Sequence, residues 1–454
     1  MIILCLNCGS SSVKYRVYDW GAQATMATGI VEKIGMDDSF CVHQIPSRTK
    51  AIIPHSCGDH REAIQFLTAT LLDQTNGVLE SLSGIAAVGH RVVHGGEKFA
   101  RSVVVTEEVL EAFRGLAELA PLHNPSNILG IEVARSLIPD VPHMAIIDTA
   151  WHQTMPRHSF IYALPYEWYE NHGIRRYGFH GTSLLYVSRR TAVLLGKDPF
   201  ECNLVVCHIG NGVSLNAVRN GVSYDTSMGF TPLEGLVMGT RAGDHDPAID
   251  LFMMEREGYT PREMSLILNT KSGILGVTGK YIDRRDVEKA AEDGDERAKL
   301  AIEMESYRIR KYIGAYSAAL GGVDAVVFTG GVGERSSIIR AKALDGLEFM
   351  GIRYDKGKNG AAKTRNGECD ISTPNSQVKV FVIPTDEERV FIEDVVALLS
   401  EAKDGYAKFT YTFQSPEYRN SLRDEAFEKE CAQDPALRRA AARVPRTDRS
   451  KKST

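Results

Sequence analysis

Three short segments of this 454-residue chain are rich in glycine and small polar residues, and each follows an apolar, strand-like run: Asn7 to Ser12, Gly210-Asn211-Gly212, and Gly330-Gly331-Val332-Gly333-Glu334. Backbone amides in such loops can face an anion. Glycine allows close approach and positive φ, while strand ends and helix N-termini supply oriented N–H dipoles. Phosphate suits that chemistry, yet neither common phosphate motif is met. Ser336 stands where a G-x-G-x-x-G fingerprint needs its third glycine. In Gly273-Ile-Leu-Gly-Val-Thr-Gly279-Lys280-Tyr281 the glycine spacing is one too long for a P-loop, and tyrosine replaces the required Ser or Thr.

Charged residues near these loops add further chemistry. Arg91 opens Arg-Val-Val-His-Gly-Gly-Glu97 and is suited to fork onto a carboxylate, its plain alternative being a surface ion pair. Arg241 lies in Gly239-Thr-Arg-Ala-Gly243 and His180 in Phe179-His-Gly, where a lone histidine reads first as a core residue. Asp148 closes the apolar run Met144–Ile147, at a sheet edge where α/β folds present reactive groups, or else caps a helix before Thr149-Ala-Trp. Thr385-Asp-Glu-Glu388 reads as a capping box in which Thr385 and Glu388 satisfy the first amides and leave Glu387 free. Cys5-Leu-Asn-Cys8 would need two more ligands to hold zinc, and the nearest, Cys202 and Cys207-His208, sit in an apolar strand run. The eight cysteines read as reduced thiols.

The elements that position these residues follow from periodicity. Val13, Tyr15 and Val17 alternate with Lys14, Arg16 and Tyr18, so Ile2–Leu6 and the following strand form a hairpin around the first loop. Asn203–Ile209, Gly210–Gly212 and the run from Val213 repeat that layout, which points to a duplicated chain. Helical patterns follow Asp59 and Thr106 and end at Gly196, and short strands are expected at 85–88, 144–147, 325–328 and 378–383. The alternation is α/β, with a first part over 1–150, a second over 151–385, and a helix over 386–400 packing back on the first. Beyond Lys403 aliphatic residues thin out, and seven basic residues between Arg438 and Lys452 face a single acid, so 403–454 reads as a charged, mobile extension rather than an interaction arm.

Composition bounds the rest. With 53 basic and 58 acidic residues, 43% hydrophobic and 24% charged, the chain reads as an ordinary globular protein and not a disordered or collagen-like one. No apolar run approaches the roughly 20 residues of a membrane span, and Met1-Ile-Ile-Leu-Cys-Leu lacks a leader's basic start, so a cytoplasmic location is expected. A net charge of −5 argues against a chain-wide nucleic-acid surface.

Six motifs together, in order, resemble the acetate kinases of the acetokinase family: Ile3–Lys14, Arg91–Glu97, Tyr177-Gly-Phe-His-Gly-Thr-Ser183, His208-Ile209-Gly210-Asn211-Gly212, Pro232–Asp244 and Thr329–Glu334. The resemblance covers roughly residues 1 to 400. It implies a two-lobed actin-like fold with a duplicated βββαβα core, shared with sugar kinases, and reversible, direct in-line phosphoryl transfer between ATP and acetate. Acetyl phosphate and ADP would be the products, on the route between acetate and acetyl-CoA. An anionic carboxylate is already a nucleophile, so such an enzyme needs charge neutralisation more than a base. By resemblance, Arg91 binds the carboxylate, His180 and Arg241 stabilise the transferring group, and Asp148, called catalytic in the family, is read here as orienting Arg91 or metal-bound water. Asn7 and Glu387 would hold Mg²⁺, with Mn²⁺ as a substitute, and Lys14 would reach the nucleotide phosphates.

The adenosine side is implied at His208 to Gly212, at Gly330 to Glu334, and at Asp283-Arg284-Arg285, where the family usually has an aromatic in place of Arg284. Asp386, in place of the usual asparagine, is a second departure that suits a helix N-terminus. Val93, Leu122, Phe179 and Pro232 line the family's methyl pocket and all are apolar here. Propionate kinases tend to carry a smaller residue at Val93, so valine favours acetate, with propionate kinase as the alternative. A chaperone-like ATPase is the rival of another class, and it needs no cationic clamp. A homodimer is implied, with neither membrane nor nucleic acid as a partner.

Overall fold

The computed structural model describes residues 1–46, 48–117, 124–400 and 409–445. Two compact units emerge: Met1–Gln153 with Asp386–Tyr411, and Thr154–Thr385 with Thr412–Thr454. The first holds β1 (Ile2–Cys8), β2 (Ser12–Asp19), β3 (Ala24–Glu32), β4 (Phe40–Gln44), β5 (Ala51–Pro54), β6 (Ile85–Val92), β7 (Val103–Val104) and β8 (His143–Ile147) in the order β5-β4-β3-β2-β1-β6-β8-β7. The second holds β9 (Leu204–Ile209), β10 (Val213–Arg219), β11 (Val222–Thr226), β12 (Ala325–Thr329), β13 (Cys369–Asp370) and β14 (Lys379–Val382) in the order β11-β10-β9-β12-β14-β13.

Duplication reaches beyond the two hairpins. In β3-β2-β1-β6-β8 the first two pairings are antiparallel and the next two parallel. In β11-β10-β9-β12-β14 the same pattern recurs. The α/β class and the repeated core agree with the actin-like arrangement expected from the sequence.

Strand alternation decides what each face of the first sheet meets. Leu4, Leu6, Val13, Tyr15 and Val17 pack with Ile64, Leu67 and Leu71 of the helix His60–Leu72 and with Val133 of Asn124–Leu137. Ile3, Cys5, Tyr18, Ala87, Met144 and Ile146 instead pack with Phe391, Ile392 and Val395 of the helix Glu387–Leu399. A strand covered on both faces reads as a continuous apolar run, as β8 does. Asp59 and Thr106 cap their helices with side-chain oxygens, and Gly196 ends the helix Gly181–Leu195 with φ of 66°. All eight cysteines are buried and free, and burial pushes the Cys5 and Cys8 thiols up to about 12. Among the described residues, no helix is long and apolar enough to cross a membrane.

Two expectations need correction. The box on Thr385 and Glu388 does not form: Asp386 is the N-cap, accepting from Arg389 N at 3.1 Å, and Glu388 pairs with Arg16. An aspartate at the cap position captures the amide three residues on, so the helix begins one residue later than the box requires. The extension is not a mobile tail over 409–445. Helices Ser421–Gln433 and Pro435–Ala440 pack into the second unit, and Phe413, Cys431, Leu437 and Ala440 are buried. Few aliphatics suffice because aromatic rings bury much area each: Phe413 lies 4.9 Å, centroid to centroid, from Tyr186. Arg190 ties the same stretch down through Glu368 and the Phe413 carbonyl. Four of the seven basic residues, Arg446, Arg449, Lys451 and Lys452, lie outside the described residues.

Phe413 is fully buried. Phe413→Ala should therefore lower the unfolding free energy by about 3–5 kcal/mol, read from urea denaturation of the full chain; an unchanged midpoint would return this segment to the status of a tail.

Candidate active site

In the first unit, register alone gathers charged groups on one face. Ile3, Cys5 and Asn7 of β1 stand opposite Tyr18, Arg16 and Lys14 of β2, and Arg91 of β6 is level with Ile146 of β8. Counting in twos from Ile3, Ala87 and Ile146, which face the helix Glu387–Leu399, places Asn7, Arg91 and Asp148 on that same face at the carboxyl ends of their strands. The helix brings Glu387 at its N-terminal turn. The result is a pocket of about 150 Å³ lined by Asn7, Lys14, Arg16, Arg91, Glu387 and Glu388 among others.

Arg91 Nε and Nη2 both donate to Asp148 Oδ2, at 3.0 and 2.5 Å. The guanidinium is 27% exposed and the carboxylate 1%. Burial opposes the Arg91 charge, but Asp148 and Glu387 more than offset it and raise its pKa. Asp148 Oδ1 is buried without a hydrogen-bond partner. Asn7 and Glu387 offer hard oxygen donors in the same pocket, and no group of three or more His, Cys, Asp or Glu side chains among the described residues is placed to hold a metal. A Mg²⁺ ion would then take most of its ligands from phosphate and water, its usual habit, and the residues present fit it.

In the second unit, His180 precedes the helix Gly181–Leu195 with φ of 61°. Its Nδ1 lies 2.9 Å from Ser214 Oγ, and its ring stacks on His208 with centroids 4.1 Å apart. His208 is fixed in turn by Ser183 Oγ at 2.8 Å from its Nδ1. A Cβ on Gly212 would stand 3.4 Å from Arg241 Nη1 and 3.5 Å from His180 Cε1, so both side chains lie against this glycine. Arg241 donates to the Pro232 carbonyl at 3.3 Å and has no carboxylate within ion-pair distance among the described residues. Burial lowers its pKa with nothing acidic to oppose it.

This unit has a cavity of its own, of about 680 Å³, that brings together Gly210, Asn211, Asp283, Arg284, Arg285, Gly331 and Val332. Gly330 holds φ of 78°, and a Cβ there would stand 2.8 Å from the Ile209 carbonyl oxygen, so only glycine lets the two loops approach this closely. Glu334 turns inward: its Oε1 accepts from Gly330 N at 3.0 Å and Thr385 N at 3.3 Å, and burial raises its pKa. Ile209 and Gly333 likewise shape the loops from within. Arg284 is committed to Glu305 by three hydrogen bonds of 2.8–3.1 Å, both groups being buried. Arg285 is exposed and holds Asp283 down to about 2.

Of the expected methyl-pocket residues, Val93 is buried in the first unit with its amide on Asn127 Oδ1; in the second, Phe179 is buried and Pro232 partly buried. Leu122 lies outside the described residues. The sequence reading missed Ser183 and Ser214, which orient the two histidines, and Arg335 and Arg365, which line the larger cavity. Ser214 pairs with His208 in the β9/β10 register, so the alternation of the second hairpin could have found it.

The family model for the acetokinase family matches residues 2–393. An acetate kinase of Trichlorobacter lovleyi is 56% identical over 92% of this chain and 99% of its own length. One from Treponema pallidum is 53% identical over 99% of this chain and 100% of its own. Among solved structures, acetate kinase of Porphyromonas gingivalis superposes with a TM-score of 0.84 at 46% identity, covering 88% of this chain and 99% of that one. A propionate kinase of Francisella tularensis gives 0.80 at 40%, covering 87% and 98%.

Glu305→Ala would strand the buried Arg284 charge and should cost about 3–5 kcal/mol of stability. Chemical denaturation checks this, and an unchanged midpoint would mean that Arg284 finds another partner.

Proposed function

The chain belongs to the acetokinase family, and we propose that it catalyses reversible transfer of the γ-phosphoryl group of ATP to acetate. A carboxylate oxygen of acetate attacks the γ-phosphorus, the bond to the β,γ-bridging oxygen breaks, and ADP leaves with that electron pair. Acetate enters as an anion, so no base has to remove a proton from it. Arg91 forks onto its carboxylate, and Asp148 positions Arg91 by accepting both donors on one oxygen. Val93 is the surface that receives the methyl group.

One observation carries this reading. Among the described residues Arg241 keeps its charge partly buried with no acid to neutralise it, and it and His180 both lie at Gly212. Such a cation is poised for negative charge that develops during transfer and is otherwise costly to desolvate. An ATPase that only moves a partner has no use for it. Asn7 and Glu387 would hold Mg²⁺, which supplies charge neutralisation at the phosphates when bound, and Lys14 adds a cation beside them. Asn211, Asp283, Gly331 and Val332 receive the nucleotide.

We also place the enzyme in the cytoplasm as a homodimer. The helix Ala248–Glu257 supports the latter, since it buries no residue within the chain and leaves Leu251 and Phe252 65% and 58% exposed.

The test is a hydroxamate assay for acyl phosphate with ATP, GTP or pyrophosphate against acids from acetate to butyrate. Acetate with ATP should give the largest kcat/KM, and no acyl phosphate from any acid would end the proposal. In the same assay Arg241→Ala should lower kcat by about 10²–10³-fold; a rate near wild type would remove Arg241 from the reaction.

Val93 sets the acid. One methylene is worth about 1–3 kcal/mol of discrimination, so propionate should be a poorer substrate and not an excluded one. Val93→Ala should raise the propionate-to-acetate ratio of kcat/KM, and a ratio that stays level or falls would assign chain length to other residues.

A further inference from the structure

The larger cavity contains a cation that neither the motifs nor the mechanism above employs. Arg365 lines it, with Nη2 3.5 Å from the point where a Cβ on Gly331 would stand, so the guanidinium sits against the glycine loop. Among the described residues it has no ion pair within 4 Å. An exposed arginine held beside a glycine-rich turn is a ready partner for phosphate oxygens.

What holds Arg365 there is the C-terminal segment. Its two flanking residues are both tied to Glu430 of the helix Ser421–Gln433: Thr364 Oγ1 donates to Oε2 at 2.5 Å and Asn366 Nδ2 to Oε1 at 2.8 Å. Thr364 is buried, and its hydroxyl also accepts from Asn366 N at 2.9 Å, closing the loop around Arg365. Gly367 lies under the Phe427 ring of the same helix, where a Cβ would come to 2.3 Å. Ala442 N donates to the Glu368 carbonyl at 2.8 Å.

A second tie reaches the glycine loop from its other side. Arg423 donates to the Thr385 carbonyl at 2.7 Å and the Pro384 carbonyl at 3.3 Å, while the Thr385 amide and the Gly330 amide share Glu334 Oε1. One helix of the extension thus anchors both the stretch that carries Arg365 and the stretch that steadies Glu334. A segment serving only to cover apolar surface would need neither bond.

We propose that Arg365 binds the nucleotide's phosphates and that Glu430, a positioning residue in the C-terminal segment, holds it over the glycine loop. The proposal rests on the nucleotide reading of this cavity and makes residues beyond the usual catalytic motifs part of the binding site.

Full-length Arg365→Ala, Glu430→Ala, Glu430→Gln and the Arg365→Ala/Glu430→Ala double variant test it by calorimetric titration with MgADP and by steady-state kinetics. Arg365→Ala and Glu430→Ala should each weaken MgADP binding and raise the KM for ATP by about tenfold, with the KM for acetate within about twofold of wild type. The double variant should bind no more weakly than Arg365→Ala alone, because Glu430 acts through Arg365, and Glu430→Gln should recover most of the affinity. Additive losses, equal rises in both KM values, or unchanged MgADP binding in Arg365→Ala would each overturn the proposal. If Glu430→Ala fails to fold, Arg365→Ala and Glu430→Gln decide it. Absence of acyl phosphate formation by the wild type would sink the acetate reading while leaving the MgADP titrations valid.

Discussion

A guanidinium drawn partly out of water has to be compensated, and two arginines of this chain meet that constraint in opposite ways. Arg91 is neutralised inside the protein by a nearly inaccessible carboxylate that takes both of its donors on one oxygen. Arg241 donates to a carbonyl and a thioether and meets no acid among the described residues. The first arrangement fixes a geometry at some cost in free charge, and the second keeps the charge and accepts an electrostatic debt until an anion arrives. In the proposed transfer Arg91 orients the acceptor and Arg241 favours the charge that builds.

Strand parity supplies these positions at little expense. Once Ile3, Ala87 and Ile146 are committed to the core beneath the helix Glu387–Leu399, the residues two and four steps further along each strand must emerge on the same face. Asn7, Arg91 and Asp148 occupy those steps. Duplication then provides a second hairpin whose register sets Ser214 beside His208, and thereby orients His180. The placing of these candidate site residues at the carboxyl ends of strands is thus a consequence of how the core is packed.

Much of this was legible in the chain because the same residues carry pattern and function. Val13, Tyr15 and Val17 announce a strand by alternation, and the residues between them include Lys14 and Arg16 of the pocket. Cap residues marked the helices after Asp59 and Thr106 and the end at Gly196. Less was visible where partners lie far apart in sequence. The tie from Glu430 to Thr364 spans 66 residues, and no local period reports it. Arg284 reads in the sequence simply as a departure from the family's aromatic, since its buried partner Glu305 lies in a helix, Glu296–Leu320, that motif spacing did not single out. The extension misled because charge dominates its composition, while buried apolar anchors, among them Phe413, Cys431 and Leu437, decide its packing.

Burial of every sulfhydryl has a practical corollary for anyone who handles this molecule. Thiolate is the nucleophilic form, and desolvation holds the Cys5, Cys8 and Cys369 sulfurs protonated to about pH 12. Electrophilic dyes and mild oxidants therefore meet a chemically silent native background, against which a single engineered surface cysteine would carry a probe without removal of the eight natural ones.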